Sequence, residues 1–349
     1  MTRPMKMNII KKLPSTEEII QRFPLSEKAC EQIEKDKQEI KDILAGRDGR
    51  IFLVVGPCSA WPMEATLEYA KRLKKLSEEV GDKIKLILRV YIQKPRTRKG
   101  WTGPAIQPDP FSSPDIEEGI TYCRKLMVKA IELGMPIADE ALFTHNAKGF
   151  LELLSWVAIG ARSSEDQEHR IFASAIDAAV GMKNPTYGAL DIAVNSIVAA
   201  QGSHTAVFDG NQVETSGNDY AHLVLRGGVD GPNYHIEHII QAKNLMEEHN
   251  VKNPSVVIDA SHDNCRISGK KTLERQIQVV HEVVSNLKDF PELRSIVKGF
   301  MIESFLKDGN QSVNVDKPEE IDLDGMSITD PCLGWEKTEK LIRELATKL

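Results

Sequence analysis

The chain has 349 residues, with 45 Lys and Arg against 51 Asp and Glu, a formal net charge of −6. At 28% charged and 41% apolar it has the balance of a globular protein, which excludes wholesale disorder. The acidic balance argues against a general nucleic-acid binder, and no run of about 18 apolar residues is present to cross a membrane.

Residues 1–50 read as a polar, helical N-terminal extension. Ser15-Thr16-Glu17-Glu18 is a capping box before Ile19 and Ile20. A second helix is expected from Ser26 to about Ala45, its apolar face set by Ile33, Ile40 and Leu44. This is too little apolar surface for an independent domain, so the extension is expected to pack on the main body or on another subunit. The N-terminus has no apolar h-region, which reads as no signal peptide. The five cysteines (30, 58, 123, 265, 332) are scattered without CxxC spacing, which points to a reducing cytoplasm.

From residue 51 short apolar runs alternate with amphipathic stretches. Strands are expected at 51–56, 84–91, 136–140, 156–161, 178–183, 221–226, 255–260 and 297–303; most are near-continuous apolar runs, as strands buried on both faces should be. Helices intervene. One runs from Pro62 to Glu79. The next is capped by Ser113-Pro114-Asp115 with Pro in its first turn, and is ended by Gly134. Another starts at Ser164-Glu165-Asp166-Gln167, and a helix over 273–287 puts Leu273, Ile277, Val280, Val284 and Leu287 on one face. The last helix is 335–348. Residues 205–216, with Asp209-Gly210 between apolar pieces, read as an inserted β-hairpin. Eight βα units over 51–349 predict a (β/α)₈ TIM barrel, with an open doubly wound sheet as the alternative.

In a barrel the chemistry lies at the C-terminal ends of the strands. Arg89, Lys94, Arg96, Arg162, Lys183 and Arg226 all fall there. Singly each reads as a solvated surface charge; together they form a ring suited to phosphate and carboxylate groups. Gly160-Ala161 and Gly227-Gly228 are expected to add backbone N–H groups. Cys58, His262, Glu303 and Asp330 form a second set, with the chemistry of a first-row divalent metal site. Cys58 alone reads as a buried thiol, and His262 alone as a loop histidine. His235 and His238 stand one helical turn apart without an evident third ligand. Lys183 has a second reading as a Schiff-base lysine. No GxGxxG, Walker A, HExxH or GxSxG pattern occurs.

These segments resemble the type I 3-deoxy-D-arabino-heptulosonate 7-phosphate (DAHP) synthases. The matching stretches are GPCS (56–59), LRVYIQKPRTRKGW (88–101), SWVAIGARSSEDQEHR (155–170), GMKNPT (181–186), LRGG (225–228), IDASH (258–262), ESFLKDGNQS (303–312) and SITDPCLGW (327–335). The resemblance implies a metal-dependent, aldol-like condensation of phosphoenolpyruvate with erythrose 4-phosphate to DAHP and phosphate. That is the first step of the shikimate pathway to aromatic amino acids. It implies that Cys58, His262, Glu303 and Asp330 hold one divalent ion (Mn²⁺, Fe²⁺, Co²⁺ or Zn²⁺). Arg162 and Arg226, with the Ala161 amide nearby, would take the phosphoenolpyruvate phosphate, and Arg89 and Lys183 its carboxylate. Lys94 would be a proton or hydrogen-bond donor between the substrates, Arg96 and Thr97 would grip the aldose phosphate, and Glu140 would position water or the carboxylate. It further implies subunit contacts through the extension, in a homodimer or homotetramer. A paralogue using a related aldose phosphate and a catalytically silent barrel are the competing readings. Asp177, where a small polar residue is common in the family, leads us to expect altered or absent aromatic feedback.

Overall fold

The structure is a computed structural model that describes residues 8–95, 100–141, 149–208 and 210–349. Eight parallel strands close into a barrel in the order β1-β12-β9-β8-β5-β4-β3-β2. The first five are β1 (Ile51–Gly56), β2 (Ile84–Arg89), β3 (Ile137–Glu140), β4 (Trp156–Ile159) and β5 (Ala179–Lys183). A surface hairpin of β6 (Thr205–Phe208) and β7 (Asn211–Glu214) follows. The barrel then resumes with β8 (Ala221–Leu225) and β9 (Val256–Asp259), and closes with β12 (Val297–Glu303). Every expected barrel strand is present, each ending within two residues of its expected limit. Two very short strands, β10 (Arg266–Ile267) and β11 (Lys270–Lys271), form a second hairpin that the apolar pattern did not signal.

The helices are α1 (Thr16–Arg22), α2 (Glu27–Leu44), α3 (Met63–Val80), α4 (Ile116–Glu132), α5 (Gln167–Ala175), α6 (Leu190–Gln201), α7 (Ile236–Glu248), α8 (Leu273–Asp289) and α9 (Trp335–Lys348). Ser15 and Glu18 form the reciprocal capping box at α1. At α4 the cap is Asp115, whose side chain accepts from Glu118 N–H; Pro114 precedes the cap and is not in the first turn as expected.

Strand alternation divides the core into two layers. Leu53 and Val55 of β1 face outward against the helices, while Phe52 and Val54 face the barrel axis with Ile87, Trp156, Val224 and Met301. Ile40, Ile43 and Leu44 of α2 join this inner layer, so the second helix of the extension plugs the barrel from below. Polar ties hold it there: Glu39 accepts from Lys85 Nζ at 2.8 Å, and Ser255 Oγ donates to the Leu44 carbonyl at 3.1 Å. Lys41 pairs with Asp177 at 2.9 Å, so the acidic side chain singled out in the sequence faces the α2 lysines.

Below the barrel's middle, Trp156 Nε1–H donates to His222 Nε2 at 3.2 Å, and His222 Nδ1 lies 2.8 Å from the Tyr220 carbonyl. One ring nitrogen accepts and the other donates, so the fold requires neutral imidazole. Burial lowers its pKa to about 4. The unfolded imidazole protonates near 6.5, so this contribution to stability is full above pH 6.5 and is lost as pH falls toward 4. The difference amounts to about 3 kcal/mol. Urea midpoints measured between pH 7 and 4.5 are expected to fall, and to fall less steeply in His222→Gln.

Candidate active site

The C-terminal ends of the strands converge on a cavity of about 430 Å³ lined by Arg89, Lys94, Glu140, Ala161, Arg162, Lys183, Arg226, His262, Lys271 and Asp330, among others. Five cations of the expected ring are therefore brought to one space. Arg96 and Thr97 lie outside the described residues.

Burial fixes the first of these cations. Arg89 is 1% exposed at the end of β2. Its guanidinium stacks on the Tyr91 ring at 3.7 Å, and Nη2 donates to Glu303 Oε1 at 2.9 Å. Its Nη1 is buried with no acceptor among the described residues. An orphaned buried donor of a charged group is costly unless a ligand completes it. Lys183, at the end of β5, pairs with Asp259 at 3.0 Å, and Arg226 pairs with Asp263.

Cys58, Glu303 and Asp330 present ligand atoms within 4.8 Å of one another. Glu303 Oε2 is buried and unpartnered among the described residues. Burial works to raise the Glu303 pKa, but Arg89 and its cationic neighbours prevail and hold it at about 2. Burial likewise opposes ionisation of Asp330, and Lys94 and Lys271 overcome it. Burial, reinforced by Glu303, pushes the Cys58 thiol up. A divalent cation would reverse that balance, because a bound thiol gives up its proton. One sulfur and two carboxylates with an open carboxylate oxygen therefore fit a first-row divalent ion.

His262 stands at the edge of this trio. Its Nε2 is 3.8 Å from Glu303 Oε1, and its Nδ1 lies 2.8 Å from Asp259 Oδ2 and 2.7 Å from Ser261 Oγ. The backbone at His262 has a φ of 54°, which turns the ring inward from the end of β9. Cys332, two residues after Asp330, lies close beneath: its Sγ accepts from Cys58 N–H at 3.4 Å.

Lys94 joins the groups. Its Nζ is 2.7 Å from Cys58 Sγ and 3.0 Å from Asp330 Oδ2. Glu140 packs against Gly160, where a Cβ would sit 2.1 Å from Glu140 Oε1; only glycine leaves room for that carboxylate at the mouth. Two expectations change. Gly227 N–H donates to Asn233 Oδ1 at 2.7 Å and Gly228 N–H to the Gly231 carbonyl at 2.9 Å, so both amides are used to shape their own loop. And Lys271, not singled out in the sequence, reaches Asp330 Oδ2 at 2.8 Å from the β10–β11 hairpin. That hairpin turns through Ser268 (φ 49°) and Gly269 (φ 78°), the left-handed pair of a two-residue turn.

The family model described as the DAHP synthetase I family matches residues 23–343. The chain belongs to the DAHP synthetase I family. The Tyr-sensitive phospho-2-dehydro-3-deoxyheptonate aldolase of Escherichia coli K12 is 40% identical over 338 residues, covering 95% of this chain and 92% of that protein. The Trp-sensitive enzyme of the same organism is 36% identical over 343 residues, covering 97% and 95%. The solved structure of phospho-2-dehydro-3-deoxyheptonate aldolase from Francisella tularensis SCHU S4 matches with a TM-score of 0.91 at 35% identity, covering 98% of both chains. The barrel and its family are thus as the sequence led us to expect. No helix among the described residues is long and apolar enough to cross a membrane.

Proposed function

We propose that the chain condenses phosphoenolpyruvate with erythrose 4-phosphate to give DAHP and phosphate, using a divalent metal held by Cys58, His262, Glu303 and Asp330. The observation that carries this reading is the convergence of five cations on one cavity beside the Cys58–Glu303–Asp330 cluster. Two phosphorylated substrates repel each other, and fixed cations offset that repulsion while holding the reacting atoms close.

Arg162 and Arg226 take the phosphate of phosphoenolpyruvate beside the Ala161 amide. Arg89, with its buried open Nη1, and Lys183 take the carboxylate. Arg96 and Thr97 hold the aldose phosphate. So held, C3 of phosphoenolpyruvate bonds to the aldehyde carbon, water adds at C2, and phosphate leaves by C–O cleavage. Lys94 supplies a proton or hydrogen bond to the former aldehyde oxygen, and Glu140 orients the water. A bound divalent ion would supply Lewis-acid polarisation of that oxygen.

Phosphate release from phosphoenolpyruvate is expected to require both erythrose 4-phosphate and metal, and to stop with chelator. Release without the aldose, or unaffected by complete metal removal, would falsify the proposal. A panel of other aldose phosphates sets the specificity.

Lys271 fits the same reading as a positioning residue, sharing Asp330 Oδ2 with Lys94. Lys271→Met removes one charged hydrogen bond, worth about 1.5–3 kcal/mol, and is expected to lower kcat/KM by roughly 10- to 100-fold. Lys271→Arg should recover part of the loss, and steady-state kinetics with a metal titration would show whether the defect follows metal retention.

A further inference from the structure

A second cluster of metal-ligating side chains lies outside the barrel mouth, at the start of α7. His235, Glu237 and His238 present ligand atoms within 4.8 Å of one another. The sequence showed the two histidines one turn apart and no third ligand; Glu237, between them, supplies it.

The His235 ring is held before any ligand arrives. His235 stacks on Tyr234, ring centroids 4.4 Å apart and 30° between planes. Tyr234 is itself buried, and its hydroxyl donates to Glu282 Oε2 at 2.6 Å. The His238 ring lies 5.8 Å from that of His235, and its Nδ1 is buried with no hydrogen-bond partner among the described residues. His238 also lines a cavity of about 550 Å³ that takes in Asp191, Asp230 and Gln241, which leaves room for water or a further oxygen ligand.

We propose that His235, Glu237 and His238 form a second divalent transition-metal site, distinct from the cluster at the barrel mouth. Two imidazoles and one carboxylate suit Zn²⁺, Co²⁺ or Ni²⁺ better than Mg²⁺ or Ca²⁺. Metal–nitrogen bonds of about 2.0–2.1 Å require the donors to close in, and the exposed Glu237 side chain has room to turn toward the two rings. The site lies beside Asn233, which accepts from Gly227 N–H, so it abuts the loop that carries Arg226.

The test is Co²⁺ uptake by full-length protein stripped with chelator, at chelator-buffered micromolar free metal, in wild type, His235→Asn/His238→Asn and Cys58→Ala. We expect the double histidine variant to bind one equivalent fewer than wild type. It should retain the sulfur-to-cobalt charge-transfer band and basal turnover, since neither histidine lines the barrel-mouth cavity. In Cys58→Ala the same histidine-site equivalent should persist without that band. Equal stoichiometry in wild type and the double variant, or binding at this site only at millimolar Co²⁺, overturns the proposal. Loss of the band in Cys58→Ala reports on the barrel-mouth metal alone, so the two sites succeed or fail separately.

Discussion

Lys94→Ala is expected to lower kcat by roughly 10²–10⁴-fold while leaving the barrel folded, the range over which a positioned acid–base group contributes. The side chain leaves the loop after β2 and places Nζ 2.7 Å from Cys58 Sγ and 3.0 Å from Asp330 Oδ2, where the acidic cluster meets the protein cations that line the cavity. Burial disfavours its charge, but Cys58, Glu303 and Asp330 more than compensate, so Lys94 stays protonated and serves as a donor. Alanine removes both the donor and one positive charge from a site that must hold two anionic substrates. Methionine keeps most of the volume and none of the charge. Equal losses in Lys94→Ala and Lys94→Met would show that the ammonium matters and not the packing. Single-turnover rates, with thermal unfolding as the check on folding, make the measurement. Turnover within about tenfold of wild type in either variant would remove Lys94 from the chemistry.

The same neighbourhood shows what the sequence makes legible and what it leaves hidden. Runs such as IFLVVG and WVAI are apolar on both faces, so they announce strands covered on both sides, and eight strand runs in alternation with helices announce a barrel. Cations placed just after such runs then fall on one face by topology alone, which is why Arg89, Lys183 and Arg226 were found without contacts. Lys271 was not, because it stands nine residues after His262 in a polar stretch with no apolar period. The available signal was Ser268-Gly269 between two short polar pieces, a dipeptide that marks a tight turn. Glu237 is hidden because histidine spacing points to the two rings and not to the residue between them. The loop amides of Gly227 and Gly228 read as anion donors because glycines at a strand end invite that reading. Their engagement by Asn233 and Gly231 depends on contacts that no spacing reveals. The plugging of the barrel by α2 is of the same kind: Ile33, Ile40 and Leu44 defined a face, but only the packed inner layer shows that Ile40 and Leu44 enter the barrel axis.

Cys58→Ser tests the centre of the site from the ligand side. The thiol is fully buried at the end of β1, in reach of Lys94 and within 4.8 Å of the Glu303 and Asp330 ligand atoms. Serine is nearly isosteric and still accepts a hydrogen bond from Lys94 Nζ, so the barrel is expected to stay folded. Its hydroxyl does not ionise near neutral pH as a metal-bound thiol does, so a soft anionic ligand is replaced by a neutral oxygen. Disturbing even a residue that merely supports a metal ligand costs about 10–100-fold in affinity or activity, and losing a ligand outright should cost at least as much. Cys58→Ser is therefore expected to bind metal at least about 100-fold more weakly and to lose turnover in parallel. High added metal should restore part of the activity, because Glu303, Asp330 and His262 remain. Cys332, whose sulfur accepts from Cys58 N–H at 3.4 Å and donates to the Asp330 carbonyl at 3.6 Å, is not among the proposed ligands, so Cys332→Ser should keep its metal. Near-normal turnover in metal-depleted Cys58→Ser would sink the assignment of Cys58 as a ligand. Loss of turnover with metal affinity unchanged would move its role from holding the ion to orienting Lys94.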